Sequence, residues 1–251
     1  MSNNVDDLQE LARNLLRPAR HPQRPPADVW ERFDSVPTRY GPVATWSAGS
    51  GPAVLLVHGW EGNHADMEAF VTPIVRASRR AVAFDLPAHG ESAGEFASLW
   101  DLATALEDVA AWCDGADAIV AHSAGCAAAS IALGRGLEAR KVAFVAPPLR
   151  YEHFIRFAAQ RQGLDGDRLV AAFDTLGYEI DRLDIRTNAA SIDVPLLIVH
   201  STDDRICAAE NATKIGDAWK NSTVEFVEGL GHTRILRDPA VVERIATYIV
   251  A

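Results

Sequence analysis

Short apolar runs recur along the chain and are bounded by turn residues. Runs of this length without strict alternation are typical of strands buried on both faces of a parallel sheet. A strand-like pattern begins at Phe33, ahead of the first run. The predicted strands cover residues 43–46, 53–57, 81–84, 118–121, 142–145, 196–199 and 223–227.

Segments with helical spacing of apolar residues lie between the predicted strands. One begins after Ser98, which with Asp101 forms a helix N-cap signal. The last begins at Asp238-Pro239, an N-cap residue followed by proline in the first turn. Alternation of strands and helices predicts an α/β fold, with a mostly parallel sheet of about eight strands and helices on both faces.

Residues 149–176 interrupt this alternation, because they contain two helical patterns and no strand run. We interpret this segment as a small helical cap inserted between two strands. The apolar positions predicted to share a face are Phe154, Phe157 and Ala158 on the first helix, and Leu169, Ala172, Phe173 and Leu176 on the second.

The N-terminal region carries a different pattern. Leucines at helical spacing predict a short amphipathic helix over residues 6–16, and an arginine- and proline-rich arm lying on the body follows over residues 17–26. The predicted organisation is an N-terminal helix and arm (1–40), a first core part (41–148), the cap (149–190) and a second core part (191–251).

Composition narrows the function classes. A formal net charge of −10 argues against a nucleic-acid partner. No apolar run reaches the roughly 20 residues of a spanning helix, and no secretory leader is recognised, so a cytoplasmic protein without a membrane partner is expected. The sequence carries no metal spacing and no cofactor motif, and Cys113, Cys126 and Cys207 are expected to be free. The oligomeric state stays open.

Polar residues capable of catalysis follow three of the predicted strands. Ala121-His122-Ser123-Ala124-Gly125 comes at a strand-to-helix junction, where small flanking residues allow the sharp turn called a nucleophile elbow. Asp203 and Asp204 follow the strand over 196–199, and His232 follows the strand over 223–227. Ligands of open α/β sheets bind beyond the carboxyl ends of the strands, so these side chains are expected to meet.

The order Ser, Asp, His, each after its strand, resembles the α/β-hydrolase superfamily over about residues 40–251. The resemblance implies that fold, with Ser123 as nucleophile, His232 as base and Asp204 as the acid that orients it. The pattern of the family that the chain resembles places this acid two residues before an apolar residue, here Ile206, so Asp204 is preferred to Asp203. By the same resemblance, the N–H groups of Trp60 and Ala124 would form the oxyanion hole.

The resemblance further implies hydrolysis of a small to medium carboxylic ester or a related carbonyl compound. Alternatives are a C–C bond or lactone hydrolase with the same triad, and a slow-turnover receptor for small molecules. Candidate pocket residues are Trp60, Tyr151, Phe154 and Phe157. Arg150 and Arg156 could pair with a substrate carboxylate, although solvent exposure is the preferred interpretation.

The remaining candidates receive structural interpretations. We expect His58 to pack beneath the loop that carries the Trp60 N–H, and His89 and His122 to be structural. Cys126 is expected in the core rather than as a nucleophile, and nothing in the sequence assigns His64 a role.

Overall fold

The structure is a computed structural model that describes residues 5–21, 27–180 and 183–251. The part of the predicted arm over residues 22–26 lies outside the described residues. Within the described part of the chain, no helix has the length and apolar character needed to cross a membrane.

The described residues form one eight-stranded sheet, in the order β1-β2-β4-β3-β5-β6-β7-β8. β1 and β2 pair antiparallel, as do β2 and β4, and all the other neighbours pair parallel. The mostly parallel sheet is thus confirmed. The strands are β1 (Arg32–Thr38), β2 (Gly41–Ala48), β3 (Ala53–Val57), β4 (Arg80–Phe84), β5 (Ala118–His122), β6 (Lys141–Val145), β7 (Leu196–Ser201) and β8 (Ser222–Val227).

Helices lie in every connection from β3 onward, and two of them have the predicted N-caps. Ser98 and Asp101 form a reciprocal capping box, and the Asp238 side chain accepts hydrogen bonds from the N–H groups of Ala240 and Val241. The α-helices are α1 (Val5–Leu15), α2 (Val71–Arg76), α3 (Leu99–Trp112), α4 (Ala124–Gly134), α5 (Tyr151–Arg161), α6 (Gly166–Thr175), α7 (Ile185–Ala189), α8 (Glu210–Ala218), α9 (Gly231–Arg234) and α10 (Pro239–Val250). Short 3₁₀ helices cover His64–Phe70 and Ile235–Arg237.

The sheet separates two hydrophobic cores, and β3 contributes to both. Val54 and Leu56 pack into one core, whereas Leu55 and Val57 pack into the other, and all four are fully buried. Successive side chains of a strand point to opposite faces of the sheet. Two covered faces therefore explain why the run is apolar at every position.

The cap contains α5 and α6, as predicted, but the predicted apolar face of α5 is wrong. Ile155 and Ala159 are its buried residues, whereas Phe154 is 39% and Phe157 57% exposed. One residue rotates a helix face by about 100°. Phe154 and Phe157 define one apolar face of this helix and Ile155 and Ala159 define another, and the second face is the one that packs against the body.

The N-terminal helix is confirmed within one residue of its predicted bounds. α1 packs against α6 through the face that carries Leu8 and Ala12, both buried. The arm that follows is attached to the body, because the guanidinium of Arg20 donates to the carbonyl oxygens of Gly90, Ser92 and Gly94. The described part of the arm thus lies on the body, as expected.

Candidate active site

The turn from β5 into α4 has the geometry of a nucleophile elbow. Ser123 stands at the turn with φ +49°, a left-handed conformation that costs energy for a non-glycine residue. Gly125 is required here, because a Cβ at this position would lie 2.5 Å from the carbonyl oxygen of His58. Ala121 is small enough for the other close position and is fully buried.

Three side chains from distant parts of the chain meet at this turn. The Ser123 Oγ lies 3.0 Å from the Nε2 of His232. The Nδ1 of the same imidazole lies 2.7 Å from the Oδ2 of Asp204. Since the carboxylate can only accept, His232 carries its hydrogen on Nδ1, and Nε2 is free to accept from the serine hydroxyl.

The two neighbouring aspartates have different environments. The Asp204 side chain is fully buried, and its Oδ1 accepts from the N–H groups of Ile206 and Cys207. Burial opposes its ionisation, but hydrogen bonds from His200, His232 and the backbone outweigh that cost and lower the pKa of Asp204. Asp204 is therefore an ionised carboxylate at neutral pH.

Asp203 is exposed and takes no part in the bond to His232. Its Oδ1 accepts from the Ser201 hydroxyl at 2.5 Å and from the Gly231 N–H at 3.1 Å. The Ser201 Oγ also accepts from the N–H groups of Leu230 and Gly231. Asp203 and Ser201 thus anchor the backbone that leads into His232.

Sequence reasoning missed two residues beside Ser123, His232 and Asp204. His200 is fully buried, and its Nε2 lies 3.2 Å from the Asp204 Oδ2 and 3.1 Å from the Cys207 carbonyl oxygen. Both neighbours are acceptors, so His200 carries its hydrogen on Nε2. Burial raises the pKa of the Cys207 thiol to about 12, although its hydrogen bond with Ser123 opposes the rise. The signal for His200 was available, since it ends a buried run four residues before Asp204.

Two backbone N–H groups beside Ser123 have no hydrogen-bond acceptor within the described residues. They belong to Trp60 and to Ala124, the first residue of α4. Residues 58–62, here called the oxyanion loop, lie against the serine, because a Cβ built on Gly59 would be 3.0 Å from Ser123 Cβ. Unpaired N–H groups at a helix start favour negative charge.

The histidines around the oxyanion loop are neutral and buried. His58 donates from Nδ1 to the Gly59 carbonyl oxygen and accepts the Leu86 N–H at Nε2. Burial lowers the pKa of His58, and it lowers the pKa of His89 to about 3. His89 contacts the Trp60 indole edge to face, with ring centroids 5.0 Å apart. These two residues support the loop that carries the Trp60 N–H.

The candidate pocket residues differ in exposure. Trp60 and Tyr151 are half-buried, and the Tyr151 hydroxyl is enclosed without a hydrogen-bond partner among the described residues. Tyr151 stacks on Phe154, whereas the exposed Phe157 lies beneath the Arg161 guanidinium.

Both candidate arginines of the cap already have acidic partners. Arg150 pairs with Glu152 and Asp184, and Arg156 pairs with Glu152 and Asp167. Their charges are thus balanced within the protein.

The three cysteines are free and buried. Burial raises the pKa of Cys126 well above its usual range, which disfavours the thiolate that nucleophilic attack requires.

Comparison with known proteins identifies the family to which the chain belongs. A model of the alpha/beta hydrolase family matches residues 54–245, more than half of the chain. No curated protein sequence matches the chain. Among solved structures, esterase Pf2001 from Pyrococcus furiosus is 17% identical, with a TM-score of 0.74 over 93% of this chain and 97% of that one.

Two further structures share the fold at low identity. The esterase EaEST from Exiguobacterium antarcticum is 18% identical, and a bromoperoxidase from Bacillus anthracis is 15% identical. Their TM-scores are 0.70 and 0.68, and each comparison covers 87% of this chain and 99% of the other. The predicted α/β-hydrolase fold is confirmed. The chain therefore belongs to the alpha/beta hydrolase family, which supports its assignment as a hydrolase.

Proposed function

We propose that this chain is a serine hydrolase of carboxylic esters that acts through Ser123, His232 and Asp204. The observation that carries the proposal is the continuous hydrogen-bonded chain from the Ser123 hydroxyl through the His232 imidazole to the buried Asp204 carboxylate. This arrangement raises the nucleophilicity of a hydroxyl that is otherwise inert at neutral pH.

The first half of the reaction forms an acyl-enzyme. The Ser123 Oγ attacks the ester carbonyl carbon while its proton moves to Nε2 of His232, which becomes an imidazolium. The Asp204 carboxylate stabilises this cation through the hydrogen bond at Nδ1. When the tetrahedral intermediate collapses, the C–O bond to the alcohol breaks and His232 returns the proton to the leaving alkoxide.

The second half consumes one water. His232 takes a proton from that water, the resulting hydroxide attacks the acyl carbon, and the bond to Ser123 Oγ breaks as the proton returns to the serine. The products are a carboxylic acid and an alcohol, and the side chains regain their starting state.

The oxyanion of both tetrahedral intermediates would be bound by the N–H groups of Trp60 and Ala124. Support comes from their free hydrogen-bonding capacity and from the position of Ala124 at the start of an 11-residue helix. Loss of one such donor typically costs about 10²–10³ in rate.

The proposed substrate is an ester, or related carbonyl compound, with a small to medium acyl group. Trp60 and Tyr151 would supply an apolar, partly aromatic lining. The cap over α5 and α6 is short, which favours a limited acyl chain. The two esterases among the similar structures agree with ester chemistry, although their likeness concerns the fold.

The proposal is tested by turnover of p-nitrophenyl esters of increasing chain length and by labelling with a fluorophosphonate. We expect labelling at Ser123 and a loss of about 10⁴–10⁶ in kcat for Ser123→Ala. Ser130→Ala is the matched control. Ser130 lies on α4 and donates to the Ala127 carbonyl oxygen, so removal of its hydroxyl leaves the triad in place.

Activity of Ser123→Ala within tenfold of wild type would exclude this nucleophile. Typical enzyme turnover is about 10 per second. If Ser123 were labelled but no ester were turned over faster than about once per hour, the enzyme interpretation would be abandoned for the receptor interpretation.

A further inference from the structure

His122, the last residue of β5, contacts the loop that carries the proposed base. Its Nε2 lies 2.9 Å from the backbone carbonyl oxygen of His232. The two imidazole rings lie side by side, with centroids 4.8 Å apart and planes inclined by 48°. His122 itself is only 5% exposed, so water does not compete for this bond.

The other side of the His122 ring faces the oxyanion loop. A Cβ built on Gly59 would lie 3.0 Å from the His122 Nδ1, which shows that ring and loop backbone are in close contact. The His122 side chain, next to Ser123 on the nucleophile elbow, therefore lies between the oxyanion loop and the His232 backbone and contacts both. These are the two segments that must converge on Ser123.

The His122 ring is a neutral donor. Its Nε2 faces a carbonyl oxygen and must carry the hydrogen. Burial and, to a smaller extent, the neighbouring His232 together lower the pKa of His122 to about 3. A neutral ring suits this place, because a charged one would repel the imidazolium that forms on His232 during the reaction.

The backbone before His232 needs such an anchor. Gly229 and Gly231 have φ values of +76° and +61°, so this segment is built from residues with wide conformational freedom. Ser201 and Asp203 hold it at Gly231, on the side of β7. His122 holds it at His232, on the side of the nucleophile.

We propose that His122 is a positioning residue: its Nε2–H fixes the His232 backbone so that the His232 imidazole stays within hydrogen-bonding distance of Ser123. The inference rests on the proposed function. Displacement of a reacting group by about 1 Å can cost about 10² in rate.

The test compares His122→Phe, which keeps a ring but removes the donor, with His122→Gln, whose side-chain amide can donate to the same carbonyl. For His122→Phe we expect kcat to fall about 10–100-fold while KM stays within about threefold, because the acyl pocket is untouched. For His122→Gln we expect kcat to recover at least partly, to within about fivefold of the wild-type value. The rate of fluorophosphonate labelling of Ser123 should change in parallel with kcat.

Equal loss in the two variants would overturn the inference, since ring packing rather than the donor would then matter. Wild-type kcat in His122→Phe would overturn it as well. Should His122→Phe not fold, the donor is tested in the wild type by ¹⁵N-edited NMR, in which absence of a slowly exchanging Nε2–H of His122 excludes the role. If the wild type is not labelled at Ser123, the proposed function fails; normal labelling of His122→Phe defeats only this inference.

Discussion

Among the described residues, two histidines are joined through Nδ1 to a buried aspartate side chain: His232 to Asp204 at the candidate active site, and His64 to Asp85 after β4. Both pairs join an imidazole Nδ1 to a carboxylate, at 2.7 Å and 3.0 Å respectively. Both aspartate side chains are fully buried, accept additional backbone N–H bonds and have lowered pKa values. The two pairs are therefore similar at the bond between the imidazole Nδ1 and the carboxylate.

The two pairs differ in the surroundings of the second imidazole nitrogen, Nε2. The His232 side chain is 12% exposed, and its Nε2 faces Ser123. His64 is fully buried, stacks on Trp46 at 3.4 Å, and its Nε2 has no hydrogen-bond partner among the described residues. A histidine–carboxylate pair can support catalysis only where the Nε2 of the histidine reaches a nucleophile and solvent. The His64–Asp85 pair instead holds the loop after β4 against the body of the protein.

The largest expected difference follows from removing the charge of Asp204. In Asp204→Asn the amide can present an N–H to Nδ1 of His232 and favour the wrong tautomer, so we expect kcat to fall by about 10⁴ with the fold retained. Asp203→Asn is the matched control. It weakens only the anchor at Gly231, and a loss of no more than about tenfold is expected in ester turnover. A larger loss in Asp203→Asn would reverse the assignment.

The equivalent change in the second pair should affect stability instead. Asp85 accepts two bonds from His64 and one from the Glu91 N–H, so Asp85→Asn places an amide against donors. We expect the free energy of unfolding to fall by about 1–3 kcal/mol, measured by urea denaturation, and kcat to stay within about tenfold of wild type. Unchanged stability with a large loss of kcat would mean that the two pairs do not differ as argued.

Both pairs should make the fold sensitive to acid. Because the folded-state pKa values of Asp85 and Asp204 are lowered, the unfolded chain binds more protons than the folded one as pH falls below about 4. Stability is then lost with decreasing pH, by up to about 1.4 kcal/mol per pH unit for each carboxylate. Urea denaturation between pH 5 and 3 should show a shallower decline in Asp85→Asn and in Asp204→Asn than in wild type.

The comparison also separates what could be predicted from what could not. The strand positions followed from local apolar runs, and β3 has the bounds that were predicted for it. The placement of Ser123, Asp204 and His232 at the ends of three strands was available in the same way, because parallel strands bring their carboxyl ends to one edge of the sheet. The choice of Asp204 over Asp203 agrees with the hydrogen bond to His232.

The burial of individual side chains was harder to predict from the sequence. His64 and His232 each follow a glycine-containing turn, yet one is sealed against Trp46 and the other opens to solvent. The prediction of the buried face of α5 failed for the same reason. Phe154 and Ile155 are both apolar, and their burial depends on which neighbours the cap helix contacts. Periodicity describes one element at a time and does not identify the surface against which it packs.

The sequence by itself determined the alternation of strands and helices, the elbow at Ser123 and the order of Ser123, Asp204 and His232 along the chain, because each follows from a short local pattern. Tertiary structure alone decided which contacts those residues make. His232 reaches Ser123 across 109 residues of chain, and His122 reaches the His232 backbone across 110. Such contacts depend on how the sheet positions loops that are distant in sequence, and no local pattern encodes those distances.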